Sequence, residues 1–432
     1  MKIFFKAIDN SPLIVFRIFF GFLIACESFG AILTGWVKRV LIDPQFTFSF
    51  IGFEWLQPLP GFGMYFYFVL MGFFGLAIML GYRYRIAIIA YTLLWAGAYF
   101  MQKSSYNNHY YLLLLISFLM IFLPANKYAS LDVKQNRVSE EKTMPYWINL
   151  LFIVQVAVVY FYASIAKFYP DWLDGTFTKN LLAGTTSKPF FLELFSQKWF
   201  YLFIAYAGIL FDLLIVPFLL FKKTRTLALI ASVIFHIFNS ITLQIGIFPF
   251  FALTFALFFY EPETIRRLFL RKKSKLEDEN LNQNFYGKRI LYFLIIPYLI
   301  IQIALPLRHH FIEGDVLWTE EGHRLSWRMM LRERNGYITI QIKDLKTGSV
   351  SIYNYRKNLT DKQAQNLATK PDFIWQYCQR IKEEYKGKPI AIYIDCKNSI
   401  NRKEYKTLID PKFDMAKAKW SHFKHNEWIE LQ

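Results

Sequence analysis

The chain has 432 residues, with 50 Lys and Arg against 32 Asp and Glu for a net charge of +18, and 55% of it is hydrophobic. Those proportions exclude a disordered or fibrous protein. The charge is uneven: 43 charged side chains fall in the first 307 residues and 39 in the last 125, so two environments share one polypeptide.

Apolar runs such as Tyr110 to Leu123 and Leu227 to Phe235 recur almost to Leu307. Hydrocarbon offers no partner to backbone N–H and C=O groups, so such runs must be helices or a closed barrel, and they lack the alternation a barrel needs. At ~20 residues per span, helices are expected near 12 to 36, 61 to 81, 86 to 101, 109 to 124, 145 to 168, 199 to 221, 226 to 243, 246 to 260 and 288 to 307. The fold class is therefore mainly α: a polytopic transmembrane helical bundle of about eight or nine helices over residues 1–307, followed by a small α+β extramembrane domain over 308–432. The first run follows Lys2 and Lys6, has no A-x-A cleavage site and exceeds a signal-peptide core, so it is expected to stay attached.

Loop charge orients the bundle. With the N-terminus cytoplasmic, the inner loops carry Arg83 and Arg85; Lys127, Lys134, Arg137 and Lys142; Lys222, Lys223 and Arg225; and a cluster from Arg266 to Arg289. The opposite stretches hold only Lys38, Arg39, Lys103, Lys179, Lys188 and Lys198, which puts the region after Leu307 outside. Anionic lipid headgroups account for the basic cluster, so no nucleic-acid partner is expected. A polar connector runs from Glu277 to Asn284.

In the tail, residues 337 to 342, 350 to 355 and 390 to 394 read as strands, and Asp361 to Tyr385 as a helix capped by Thr360 and interrupted before Pro371. Only Cys26, Cys378 and Cys396 occur, without CxxC spacing, so no zinc site or cysteine framework is expected. Cys378 and Cys396 are read as free thiols rather than a bridge.

Polar side chains within apolar segments each require a partner or a job. Asn107, Asn108 and His109 precede the run Tyr110 to Leu123; an Asn there caps a helix, while an imidazole at a helix start tends to stay neutral and able to relay a proton. Lys167 stands at the outer end of the fifth helix, either snorkelling to the interface or facing inward, where desolvation favours a free amine that can take a proton. Asp171 could hold it charged, unless Pro170 breaks the helix. His236, Asn239, Ser240 and Gln244 share one helical face and line either a cavity or an interhelical contact. Arg17 with Glu27 or Asp212 is read as a buried structural pair. A pocket beneath an outside domain, open to lipid and to water, suits an amphiphile such as a quinone. A transporter is disfavoured, since no inverted repeat is visible.

Several strings in order, "VFRIFFGFLIACE" (15 to 27), "MLGYRYRI" (79 to 86), "SSYNNHYYL" (104 to 112), "DWLDG" (171 to 175), "FHIFNS" (235 to 240), "LSWRMM" (325 to 330) and "DPKFDMAKAKWSHF" (410 to 423), span nearly the whole chain. Together they resemble the vitamin K-dependent gamma-glutamyl carboxylase family and its bacterial relatives with the HTTM domain. The resemblance implies a membrane enzyme that oxidises reduced vitamin K (phylloquinol or menaquinol) with O2 and carboxylates glutamate side chains with CO2, without a metal. Its implied partners are a glutamate-containing protein or peptide and membrane lipid. It implies Lys167 as the base that deprotonates the quinol, with His109 as its catalytic neighbour. Asn107, Asn108, His236 and Asn239 would surround the quinone ring. Trp327, Met330, Arg332 and Arg334 would face the glutamyl substrate, where a guanidinium can hold a carboxylate by paired hydrogen bonds. The animal enzymes carry a lysine pair where this chain has Ala166 and Lys167. Quinol epoxidation without carboxylation, or quinone or lipid binding without turnover, is the alternative.

Overall fold

A computed structural model describes residues 2–184, 189–243, 246–276 and 285–432; Lys188, Gln244 and the connector Glu277 to Asn284 lie outside them. Each of the nine apolar runs is helical: α1 (Ser11–Leu33), α2 (Gly63–Leu80), α3 (Tyr84–Met101), α4 (Asn108–Met120), α5 (Tyr146–Ile165), α6 (Lys198–Leu220), α7 (Arg225–Leu243), α8 (Phe248–Phe258) and α9 (Lys288–Phe311). Among the described residues six of them, α1, α2, α3, α5, α6 and α9, are long and apolar enough to cross a membrane. The shorter α4 has 13 residues and rises about 20 Å, less than the ~30 Å hydrocarbon core.

The tightest crossing is between α1 and α2. A Cβ built on Gly21 would lie 2.3 Å from Met79 N, and one on Gly75 would lie 2.8 Å from Ala25 N. Gly21 and Ala25, one turn apart, let the two backbones touch, as small residues do at membrane helix contacts. At the end of the bundle away from the C-terminal region, strands β1 (Ala7–Asp9) and β2 (Thr143–Pro145) pair antiparallel. The buried Lys273 Nζ ties this corner by donating to Asp9 Oδ1 at 2.6 Å and Asn10 Oδ1 at 2.6 Å.

The expected pair of Arg17 with Glu27 or Asp212 does not form. Arg17 donates instead to the carbonyls of Ala125 (3.0 Å), Tyr128 (3.3 Å) and Ala129 (2.6 Å). These carbonyls lie in the loop after α4, and a guanidinium with five donors satisfies several of them at once. Glu27 accepts from Tyr110 Oη at 2.9 Å.

The C-terminal region builds a four-stranded antiparallel sheet in the order β4-β3-β5-β6, from β3 (Arg334–Asp344), β4 (Val350–Ile352), β5 (Ile390–Ile400) and β6 (Lys406–Thr407). Ile338 faces Cys396 and Ile340 faces Ile394 across β3 and β5. These residues pack with helices α10 (Asp361–Thr369) and α11 (Pro371–Glu384) in one core, which Phe48 from the α1–α2 connection completes. Thr360 and Gln363 form a reciprocal capping box, and the helical stretch breaks at Lys370, before Pro371. Cys378 and Cys396 are both buried and free. Burial pushes the Cys396 thiol up to about 12.

Candidate functional site

At the end of the bundle that carries the C-terminal region, an apolar cavity of about 210 Å³ opens among α4, α5, α6, α7 and α8. The polar groups on its wall include Lys167, Asp212, His236 and His109, brought together from different helices. Lys167 follows the C-terminus of α5, where its backbone N–H still bonds Ser164 O at 2.9 Å and Pro170 starts a new helical turn. Its side chain turns inward with 9% exposure rather than snorkelling. Nζ forms an ion pair with Asp212 Oδ2 of α6, donates to Ala163 O at 3.1 Å, and lies 5.4 Å from the Trp172 ring centroid.

His236 of α7 shares a 2.9 Å hydrogen bond between Nε2 and Tyr160 Oη of α5. Its Nδ1 is buried and has no hydrogen-bond partner among the described residues. His109, at the first turn of α4, stacks on Phe248 with centroids 3.6 Å apart. The same Phe248 meets His236 edge-on at 6.2 Å, so one aromatic ring stands between two imidazoles. Asn239, Met329 and Met330 also line the cavity.

The structure thus brings Lys167, His109, His236, Asn239 and Met330 to one cavity, and places the other expected residues elsewhere. Asn107 Oδ1 accepts from Tyr110 N at 2.7 Å and caps α4. Asn108 accepts from Tyr106 Oη at 2.9 Å and donates to Arg328 O at 3.1 Å. Asn107 spends its carbonyl oxygen on the cap and Asn108 both ends of its amide on the fold, and neither residue lines the cavity where both were expected. Trp327 is fully buried against Tyr111, with centroids 4.9 Å apart. Arg332 and Arg334 both close on the carboxylate of Glu320, and Arg334 also donates to Trp318 O at 2.7 Å. A buried guanidinium needs an internal counter-charge, and Glu320 supplies it here in place of a substrate. Asp171 pairs with Lys403 Nζ at 2.5 Å and accepts from Asn401 at 2.8 Å, so it does not hold Lys167.

Sequence reasoning missed Asp212 as the partner of Lys167 and missed Tyr160 altogether. An acid inside an apolar run was the signal for Asp212, but its partner lies 45 residues away. Tyr160 is one of 27 tyrosines and carries no local signal.

The cavity suits a flat, largely apolar ligand with one or two polar atoms. Its walls are mostly aromatic and aliphatic, and the orphaned His236 Nδ1 and the Lys167–Asp212 pair offer the few polar contacts such pockets use. A quinol ring meets those requirements.

Residues 5–263 match the model of the HTTM domain family, and residues 287–432 match that of the lumenal domain of vitamin K-dependent gamma-carboxylase. No solved structure matches the chain. The architecture is that of a multi-pass helical membrane protein with a small sheet-containing C-terminal region. The two matches in tandem show that the chain belongs to the vitamin K-dependent gamma-glutamyl carboxylase family.

Proposed function

We propose that this protein is a membrane carboxylase that couples O2-dependent oxidation of reduced vitamin K to γ-carboxylation of glutamate side chains in a protein or peptide. The observation that carries the reading is the buried Lys167–Asp212 pair on the wall of an apolar cavity, beside His236 and His109. In this reading residues 1–307 form the catalytic bundle, the N-terminus is cytoplasmic, and 308–432 lies outside, as the loop charges favour.

Lys167 is the proton acceptor and Asp212 its orienting partner. As ammonium and carboxylate the pair has no free amine; as amine and acid it does, and the two forms differ only in where one proton sits. The pair is neutral at rest in either form, so a positive charge develops only when a ligand hydroxyl yields its proton and an oxyanion forms beside it. That is stabilisation by a preorganised group at the point where charge appears. The Tyr160 hydrogen bond fixes the His236 ring and leaves Nδ1 for a ligand oxygen.

A glutamate γ-hydrogen is too weakly acidic for any side-chain base. Reduced vitamin K with O2 supplies, when bound, a base strong enough to remove it. The methionines and phenylalanines of the wall exclude water that would quench such a base. The carbon so deprotonated adds to CO2.

One observation favours a second reading, quinol epoxidation without carboxylation. Arg332 and Arg334 are both committed to Glu320 and neither lines the cavity, so neither is free there to hold a glutamyl carboxylate. Purified protein given reduced vitamin K, labelled hydrogencarbonate and a glutamate peptide separates the two. Epoxide with labelled peptide is the expected result. Epoxide alone leaves the second reading, and neither product refutes both.

A further inference from the structure

A second cavity, of about 130 Å³, lies between the bundle and the C-terminal region, and its chemistry is the opposite of the first. Lys103, Arg308 and Arg324 line it, with Asp372 as the acid that answers them. Arg324 grips Asp372 with both nitrogens, at 2.5 and 3.2 Å. Lys103 Nζ forms an ion pair with the same carboxylate, 2.8 Å from Asp372 Oδ2, so Arg324 and Lys103 share one acid. Its side chain is 1% exposed.

Arg308 donates to Arg324 O and has no carboxylate partner among the described residues. The other acids at this wall are already taken: Glu320 by Arg332 and Arg334, and Glu321 by His425 and Asn426. Three cations thus face one available carboxylate. A buried cationic surplus is costly unless an anion completes it. Burial pushes Lys103 down to about 8 against the opposing pull of Asp372, as expected of an ammonium that is only partly compensated.

His422 stands exposed at the mouth. Trp420 Nε1–H donates to its Nδ1 at 3.1 Å, so a neutral ring carries its proton on Nε2 as one more donor. Liquid water occupies roughly 30 Å³ per molecule, so the space takes one small anion and a few waters.

We propose that this cavity binds a carboxylate-type oxyanion, held by Lys103 Nζ and Arg308. Choosing that class among small anions rests on the carboxylase reading, whose two acidic reactants, a glutamate side chain and hydrated CO2, both carry it. The backbone from Arg324 to Met330 links the two cavities, Arg324 and Leu325 lining this one and Met329 and Met330 the other. An anion bound here sits one short segment away from the apolar pocket.

The test uses full-length protein in detergent without quinol, titrated with sodium hydrogencarbonate or with a terminally blocked peptide holding one glutamate. The glutamine peptide and sodium sulfate serve as controls, and isothermal titration calorimetry as the readout. Saturable binding of a carboxylate-type probe, weakened tenfold or more in Arg308→Gln and in Lys103→Gln, is expected. The probe that binds identifies the source. If Lys103→Gln fails to fold, the half-buried Arg308 carries the test alone. Absence of binding, affinity unchanged in Arg308→Gln, or preference for sulfate overturns the site. Because no turnover is involved, a wild type that fixes label but binds neither probe sinks this proposal and spares the carboxylase reading. Binding without carboxylation does the reverse.

Discussion

Lys167→Met removes the cation of a pair whose side chains are 9% and 7% exposed, and leaves the Asp212 carboxylate in an apolar wall. An unpaired buried charge of this kind costs about 3–5 kcal/mol. The carboxyl escapes by taking up a proton, but holding it protonated at pH 7 against an ordinary value near 3.9 costs about 4 kcal/mol. Either route predicts a loss of about 3–4 kcal/mol at pH 7. By the protonation route the loss shrinks by about 1.4 kcal/mol for each pH unit toward 4. Quinol oxidation should fall by about 10²- to 10⁴-fold, the usual share of a positioned base. Thermal melts from pH 5 to 8 and quinone epoxide formation are the assays. The double variant Lys167→Met, Asp212→Leu should recover most of the stability and none of the activity, which separates folding from chemistry. A single variant with unchanged melting and epoxide formation within threefold of wild type would refute the pair as proton acceptor.

Asp212→Asn leaves an uncharged amine that is still a base, so it should keep at least tenfold more epoxide formation than Lys167→Met; equal losses would move the acceptor to Asp212. Asn107→Ala removes only the cap of α4 and should cost about 1 kcal/mol of stability, with the KM for quinol unchanged; a raised KM would return Asn107 to the ligand. Gly21→Ala puts a methyl 2.3 Å from Met79 N, and overpacking of this kind costs about 1–3 kcal/mol. A lowered melting temperature in detergent would register it. Burial alone would raise Asp372, but Arg324 and Lys103 override that and hold it at about 2. Its folded value is depressed, so its stabilisation is complete above the ordinary value and is lost as pH falls toward 2, about 2 kcal/mol in all. Asp372→Asn should abolish that component, as melts across pH 2 to 5 would reveal.

Hydropathy did not find the short helices Thr176–Ala183, Pro189–Ser196 and Pro262–Phe269. It located the nine apolar helices α1 to α9 because burial in lipid acts on runs of side chains, and runs are visible in one dimension. Alternation and β-branching did the same for β3 and β5, although β4 stops at Ile352 where three further residues were expected. Pairing was less legible. Arg17 found loop carbonyls, which no sequence pattern advertises, and so Asp212 was free for Lys167. The Asn-Asn-His string looked like one functional unit. Helix geometry splits it: the capping position is fixed by backbone N–H groups, the next residue points toward the strand of chain at Arg328, and only His109 reaches the cavity.

That division explains how the roof of the apolar cavity keeps its shape. Leu325, Trp327 and Met330 all have left-handed backbones, with φ of 58°, 57° and 50°. Such conformations cost roughly 1–3 kcal/mol each for residues other than glycine. They persist only where the surroundings fix them from several sides. Tyr106 Oη accepts from Leu325 N at 2.8 Å, Asn108 donates to Arg328 O at 3.1 Å, Trp327 is packed on Tyr111, and Arg324 is clamped on Asp372. Asn108 therefore acts on the site at one remove. By holding Arg328 it helps keep Met329 and Met330 over the cavity, so its loss would loosen the roof without removing any group that touches a ligand. The strain sits in a segment that borders both cavities, with Arg324 and Leu325 lining one and Met329 and Met330 the other.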